Sequence, residues 1–323
     1  MAAKAWGIQP KTVDEVFFQN EAVSLCLLVN RRARTMRVVD FRAGPSQAKR
    51  LFVLSLAQRE GVEKAYTLVE RDEVATWVKL GFAKEGNIPG YYKRSDAFLL
   101  GCTVASAGRA KTLGRPELPD DDVAPSQSGM RLAAAQPSTS GAPMTPAQQV
   151  MERTVLTAKK ALKEGSAKAA PAARVTPISE VDARKAVAAA MKSGRALTAF
   201  EAFGRDTERR YFVATAKGGF ELCASTESQA CFGNAYLELL VSPRTEAEKA
   251  GTSGALRTFC DRLTAEGVVS CFSLAPSDDL ALATAYLHNG FRRTGLLLDH
   301  LVVGAARKDA IVWARKLADP GDE

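Results

Sequence analysis

Residues 276–291, PSDDLALATAYLHNGF, decide the fold. The stretch follows an apolar strand, has the pattern of a helix and ends in Gly-Phe. Residues 69–82, VERDEVATWVKLGF, repeat this order in the first third of the chain. Working outward, MRVVDF and EGVEKAYTLV in the first part parallel YLELLV and EGVVSCFSLA in the last part, with a helix between the two segments each time. We therefore interpret the chain as two related units, each built in the order strand, helix, strand, helix, strand.

Length and composition set the domain organisation. At roughly 100–200 residues per domain, 323 residues suggest two domains. Residues 1–102 and 179–318 have globular compositions, whereas residues 103–178 are rich in Ala, Pro and Ser and predict a disordered linker. A helix is predicted within it near 145–164, and residues 319–323 form a short tail. The predicted fold class is α/β (α+β), with a mixed central sheet flanked by helices in each unit.

Charge, cysteine and hydropathy patterns exclude several classes of protein. The formal net charge is +8, but the richest basic run, at 31–37, fits a hairpin turn better than a nucleic-acid patch. No apolar stretch of about 18 residues and no secretory signal is evident, so we expect a cytoplasmic protein with no membrane or nucleic-acid partner. The six cysteines form no CxxC pair and there are two histidines, which favours buried reduced thiols over a metal site. With so little histidine, the acid and base of any enzyme here are expected to be other side chains.

The segment Tyr286-Leu287-His288-Asn289-Gly290-Phe291, after its strand, helix and strand, resembles the GNAT acyltransferase superfamily. The whole layout is similar to the two-domain bacterial and archaeal β-lysine N-acetyltransferases. Three stretches carry that likeness: VNRRARTMRVVDFRAG at 29–44, GFAKEGNIPGYYKRSDAFLLG at 81–101, and residues 289–317, which end in WARKL. It covers nearly everything except the linker, which has the character of an insertion.

The resemblance implies transfer of acetyl from acetyl-CoA, as co-substrate, to an amine of a small β-lysine-like amino acid by direct attack. Tyr286 would protonate the leaving thiolate and Glu238 would act as the base, directly or through water. Asp299 or His300 would contact the substrate, and no metal is implied. The backbone of Leu240 and Val241 would bind the acyl carbonyl and the pantetheine arm. A loop would receive the CoA pyrophosphate at a helix N-terminus; its residues are Lys249, Ala250, Gly251, Thr252, Ser253 and Gly254.

Departures from the family pattern leave structural interpretations open for several candidate site residues. Ser253 replaces the second glycine of the loop, and Glu248 replaces a basic or amide residue, so these residues also fit an ordinary helix start. Tyr286 also fits a tyrosine packed on the sheet, and Glu238 also fits a partner of a cross-strand arginine such as Arg210. In the first unit Trp77 stands where Tyr286 stands in the second, which predicts a non-catalytic first unit.

The alternative function is a catalytically degenerate GNAT pair acting as a binding, regulatory or scaffold protein. A third reading is acetylation of a protein lysine. The sequence assigns no oligomeric state.

Overall fold

The computed structural model describes most of both units. The described residues are 13–21, 23–42, 44, 46–104, 143–164, 172–197, 203, 207–216, 220–229, 231–304 and 306–318. The greater part of the predicted linker and the tail 319–323 lie outside them.

The first unit contains six strands and two helices among its described residues. They are β1 (Val13–Gln19), β2 (Ser24–Asn30), β3 (Thr35–Asp40), α1 (Gln47–Arg59), β4 (Lys64–Val69), α2 (Val74–Lys79), β5 (Ala83–Ile88) and β6 (Ala97–Thr103).

The remaining elements begin with the helix that was predicted near 145–164. They are α3 (Pro146–Lys163), β7 (Arg174–Ile178), α4 (Glu180–Lys192), β8 (Glu208–Ala216), β9 (Phe220–Gln229), β10 (Asn234–Leu239), α5 (Glu246–Ala265), β11 (Ser270–Pro276), α6 (Leu280–His288), β12 (Arg292–Val303) and β13 (Ala306–Lys316). The predicted mixed α/β class is confirmed. None of the helices in the described part of the chain is long and apolar enough to cross a membrane.

The two units share one sheet. The described strands form a 13-stranded sheet in the order β1-β2-β3-β4-β6-β5-β12-β13-β11-β10-β9-β8-β7. The units meet where β5 pairs with β12 antiparallel, in register at Gly86 and Gly295. At this seam an added Cβ on Gly295 would lie 2.5 Å from the Gly86 Cα and 2.6 Å from the Glu85 carbonyl oxygen. Only glycine therefore allows the two backbones to approach this closely.

The internal repeat is visible in strand register. In the first unit β3 and β4 pair in parallel from Thr35↔Lys64 to Val38↔Thr67. In the second, β10 and β11 pair in parallel from Asn234↔Ser270 to Tyr236↔Phe272. In both units the pairing covers only the first part of the two strands. The registers make Arg37 the counterpart of Tyr236.

The helix that follows each second strand ends in the same way. The Phe82 N–H donates to the Trp77 carbonyl, and the Phe291 N–H donates to the Tyr286 carbonyl, both at 3.0 Å. The Phe82 ring also packs edge to face on the Trp77 ring at 4.9 Å, and the Phe291 ring packs in the same way on the Tyr286 ring at 5.2 Å. The preceding glycine has a positive φ in both units, 92° at Gly81 and 75° at Gly290. Trp77 is therefore the structural counterpart of Tyr286, as the sequence predicted.

All described helices except α4 cover one face of the sheet; α4 packs on the other face, part of which is covered by a core that the two units share. Strand alternation directs Met36 and Val38 of β3 to the helix side of the first unit, where they join the core beneath its helices. A separate apolar cluster combines Tyr66 and Leu99 of the first unit with Tyr236 and Phe272 of the second. The two halves of the sheet therefore bury this face against each other, which makes the seam a packed interface.

Several elements differ from the sequence prediction. Strands β1, β5, β7 and β13 were not predicted from the sequence. Ile178, which the sequence predicted to begin a helix, ends β7 instead. Of the strand predicted at 196–203, Ala196 makes an isolated bridge with Val241, and residues 198–202 lie outside the described part. Five of the six cysteines are buried free thiols and Cys231 is exposed, in agreement with the prediction of reduced cysteines.

Replacing Gly295 with alanine should destabilise the protein by about 2 kcal/mol or more, because the new Cβ would overlap backbone atoms, which cannot rotate away. Urea unfolding measures the effect, and Ala306→Ser, at an exposed site on the neighbouring strand β13, is the control. An unchanged unfolding midpoint for Gly295→Ala would show that the seam tolerates separation of the two strands.

Candidate functional site

An opening lies between β10 and β11, where the two strands diverge. Their parallel pairing ends at Tyr236↔Phe272. Beyond it, the Leu240 N–H donates to the Cys223 carbonyl at 2.9 Å, on the β9 side. Since the direction of backbone groups alternates along a strand, Val241 directs its N–H to the other side, into the opening. No described residue accepts a hydrogen bond from that N–H.

The predicted pyrophosphate loop is part of a helix. Helix α5 begins at Glu246, and its capping box joins the side chains of Thr245 and Glu248. The Glu248 carboxylate accepts from the Arg244 N–H at 2.6 Å and the Thr245 N–H at 3.1 Å. It also pairs with the Arg195 guanidinium at 2.8 Å. The expectation of a loop at 248–254 is therefore wrong, because the capping residues start the helix one turn before it.

The Glu248 carboxylate occupies the place where an anion would meet this helix terminus. Burial opposes its ionisation, but the backbone N–H groups of Arg244 and Thr245 and the Arg195 guanidinium lower the pKa of Glu248. The group is therefore a carboxylate near neutral pH and satisfies the positive end of the helix internally.

The residues expected to bind CoA make contacts within the fold. The Lys249 ammonium pairs with Glu246 at 2.7 Å, and the Thr252 hydroxyl donates to the Glu248 carbonyl at 2.7 Å. Ser253 accepts from the Asn289 amide of α6 at 3.1 Å. Gly251 and Gly254 are buried and Ala250 is exposed. Their assignment to a cofactor stays a prediction.

Tyr286 lies in the interior beside the point where β10 and β11 separate. Its side chain is fully buried, and its hydroxyl lies 2.5 Å from the Ser273 Oγ. Ser273 directly follows Phe272, which is the last residue of β11 that pairs with β10. The ring stacks on Trp313 at 5.5 Å. Burial raises the pKa of Tyr286, and the hydrogen bond with Ser273 only partly offsets this, so the hydroxyl stays neutral.

Glu238 lies in a buried ionic cluster on the sheet face that the units share. Its carboxylate accepts from the Ser225 hydroxyl at 3.1 Å and from Arg209 at 3.5 Å. Arg209 also pairs with Glu227 at 2.8 Å. Burial opposes the charge of Arg209, but the two carboxylates raise its pKa. The cluster therefore holds Arg209 as a cation.

The partner of Glu238 is not the arginine named from the sequence. Arg210 binds Glu266, at the end of α5, at 2.5 Å. Neighbouring residues of a strand point to opposite faces, so a change of one position moves the guanidinium to the other side of the sheet.

The two expected substrate contacts lie on β12. His300 is buried and meets the Tyr66 ring edge to face at 4.9 Å, so the structure places it in the core between the units. Asp299 has a φ of 49° and is exposed, and its N–H donates to the Asp309 carboxylate at 2.8 Å. Their contact with a substrate stays a prediction, and the burial of His300 favours a structural role for that residue.

Two arginines of the site were missed, and one sequence signal was overlooked. Thr245-Glu246-Ala247-Glu248 has the Thr-x-x-Glu spacing of a capping box, which could have located the start of α5. Arg195 and Arg209 lie in segments with no motif, and only the tertiary structure brings them to Glu248 and Glu238. Among the described residues, no cluster of His, Cys, Asp and Glu could hold a metal ion.

Comparison with known proteins gives matches to solved structures alone. No family model and no curated protein matches the chain. The ribosomal-protein-S18-alanine N-acetyltransferase of Escherichia coli is 18% identical, with a TM-score of 0.34, and the match covers 46% of this chain and 97% of that one. The spermidine N-acetyltransferase of Vibrio cholerae, solved with CoA and spermine, is 12% identical, with a TM-score of 0.36, over 46% of this chain and 96% of that one.

The buried Tyr286–Ser273 pair predicts a non-additive double-mutant cycle. Tyr286→Phe and Ser273→Ala each leave one buried hydroxyl without its partner and should each destabilise the protein by about 1–3 kcal/mol. The double variant should lose less than the sum, because both groups are then removed. Urea unfolding of the four proteins gives the coupling energy, and strict additivity would argue against the hydrogen bond.

Proposed function

We propose that the second unit is a GNAT-type N-acetyltransferase that binds acetyl-CoA in the opening between β10 and β11. The observation that carries this proposal is the divergence of the two strands beyond Tyr236↔Phe272, with the Val241 N–H directed into the gap. The resemblance of residues 286–291 to the superfamily motif supports it. The acceptor is a small amine, and the sequence resemblance favours a β-lysine-like amino acid.

Each step of acetyl transfer has a candidate group in this region. A backbone N–H such as that of Val241 would polarise the thioester carbonyl, whose oxygen gains negative charge as the amine attacks. Glu238, held by Ser225 and Arg209, would accept the proton of the attacking amine, directly or through water. The neutral Tyr286 hydroxyl at the divergence of the strands would donate to the leaving sulfur. Because its raised pKa makes the phenol a weaker acid, it would donate a hydrogen bond to the sulfur and keep its proton.

The Glu248 cap favours a second candidate function. An acetyltransferase of this type places the CoA pyrophosphate at the N-terminus of a helix such as α5. Here the Glu248 carboxylate lies at that terminus and binds the N–H groups of Arg244 and Thr245 just before the helix. Together with the complete burial of Tyr286, this observation supports a degenerate unit that serves as a binding, regulatory or scaffold protein. Binding of acetyl-CoA separates the two functions.

Replacing Glu248 with glutamine should tighten acetyl-CoA binding about tenfold. Glutamine keeps the capping hydrogen bonds, but it removes the negative charge that repels the pyrophosphate. Isothermal titration calorimetry with acetyl-CoA measures the change. Glu246→Gln is the matched control, because Glu246 is an exposed residue of the same helix turn and loses the same charge.

Two outcomes would contradict the enzyme. If neither the wild-type protein nor Glu248→Gln binds acetyl-CoA at millimolar concentration, the degenerate function replaces it. If both glutamine variants tighten binding equally, the effect comes from net charge, and α5 does not receive the pyrophosphate.

A further inference from the structure

Arg37 of the first unit is a buried cation with no acidic partner in the described part of the chain. It is 8% exposed, and neither its Nε nor its Nη1 has a hydrogen-bond partner among the described residues. Two other arginines of this hairpin do have acidic partners: Arg31 pairs with Asp14 and Glu60, and Arg34 pairs with Glu63. A guanidinium held in the interior with open donors is strongly unfavourable, so its presence needs a reason.

Strand geometry places Arg37 on the face that the two units share. It pairs in register with Tyr66, a member of the inter-unit core, whereas Met36 and Val38 beside it point to the helix side. By the same alternation, Glu238 of β10 lies on the face of Tyr236, which belongs to that core too. The guanidinium of the first unit and the candidate base of the second therefore lie on the same face of the sheet.

The surroundings of Arg37 are polar and come from both units. Burial raises the pKa of Tyr91 and of Tyr92, and the charge of Arg37 partly offsets the rise in each, which places both phenols near the guanidinium. The Tyr91 hydroxyl donates to the Gln229 side chain of β9 at 3.0 Å. These groups provide hydrogen bonds, but none of them neutralises a cation.

The nearby carboxylate of Glu227 does not pair with Arg37. Its charge reaches Tyr91, yet one of its oxygens accepts from the Phe203 N–H and the other from Arg209, both at 2.8 Å. No described acid lies within ion-pair distance of Arg37. Its open Nε and Nη1 are thus available to an anion that the described residues do not supply.

We propose that Arg37 binds the carboxylate of the acceptor, so that the first unit selects amino acids with a free carboxylate for the second unit. A guanidinium presents parallel N–H donors that match the two oxygens of a carboxylate. A single cation, with the carboxylate of Glu227 also acting on the neighbouring Tyr91, suits one negative charge better than the two of a phosphate. The ammonium of the same acceptor would then lie toward the acidic Glu238 cluster. This inference rests on the proposed function for the identity of the acceptor.

Calorimetry without acetyl-CoA tests the assignment. The probes are β-lysine and its carboxamide, which has the same skeleton without the carboxylate charge. The wild-type protein should bind the acid at least tenfold more tightly than the amide. Arg37→Met should weaken binding of the acid about a hundredfold and leave the amide nearly unchanged. Arg34→Met, which removes an exposed charge from the same hairpin, should behave as wild type.

Urea unfolding of Arg37→Met supplies the second readout. Removing an unpaired buried cation should leave the unfolding midpoint unchanged or raise it, whereas a structural role for Arg37 would lower it. The proposal is overturned if the wild-type protein binds neither probe, if it binds both equally, if Arg37→Met keeps the preference for the acid, or if that variant unfolds at lower urea. Because acetyl-CoA is absent, a failure here is distinct from a failure of the proposed enzyme to bind its cofactor.

Discussion

The backbone contact of Gly86 with Gly295 holds the two units in one sheet. One antiparallel register at this point converts two separate α/β units into a continuous structure of 13 strands. A larger residue at either position would force the strands apart. A Cβ on Gly86 would overlap the Gly295 Cα, and a Cβ on Gly295 would overlap the Glu85 carbonyl oxygen. Because β-sheets twist as strands are added, this junction also turns the two halves toward each other. The aromatic core between the units contains residues of both halves.

The first unit differs from the second at the positions proposed for catalysis. In the repeat, Val39 of β3 stands at the position of Glu238. Each lies two residues beyond one of the counterparts Arg37 and Tyr236. Its loop before α1 folds around the buried ammonium of Lys49, which donates to the carbonyls of Arg42 and Gly44. In the first unit the Lys49 ammonium therefore lies at the start of α1, and in the second unit the Glu248 carboxylate lies at the start of α5. Both helix starts are satisfied internally.

The sequence predicted the repeat well because its signals are local. The Gly-Phe helix ends need a positive φ at Gly81 and Gly290, and few residues except glycine adopt it, so the pattern is visible in one dimension. Strand β5, AKEGNI, carries too few apolar residues to be recognised, because its place in the sheet depends on partners from both units. The helix start at Glu246 was read as a loop because the glycines of 251–254 suggested one, and the capping box before them was overlooked.

The ionic contacts of the site lay beyond sequence reasoning for a geometric reason. The alternation of a strand decides whether Arg209 or Arg210 reaches Glu238, and the phase of that alternation is fixed by pairing with β9 rather than by the local sequence. The same holds for Arg37, which in the sequence is one more arginine of a basic hairpin. Arg31 and Arg34 lie at the turn, where Asp14, Glu60 and Glu63 reach them. Arg37 instead lies within β3, on the face that the second unit covers. The burial of Arg37 therefore depends on the packing of the two units against each other.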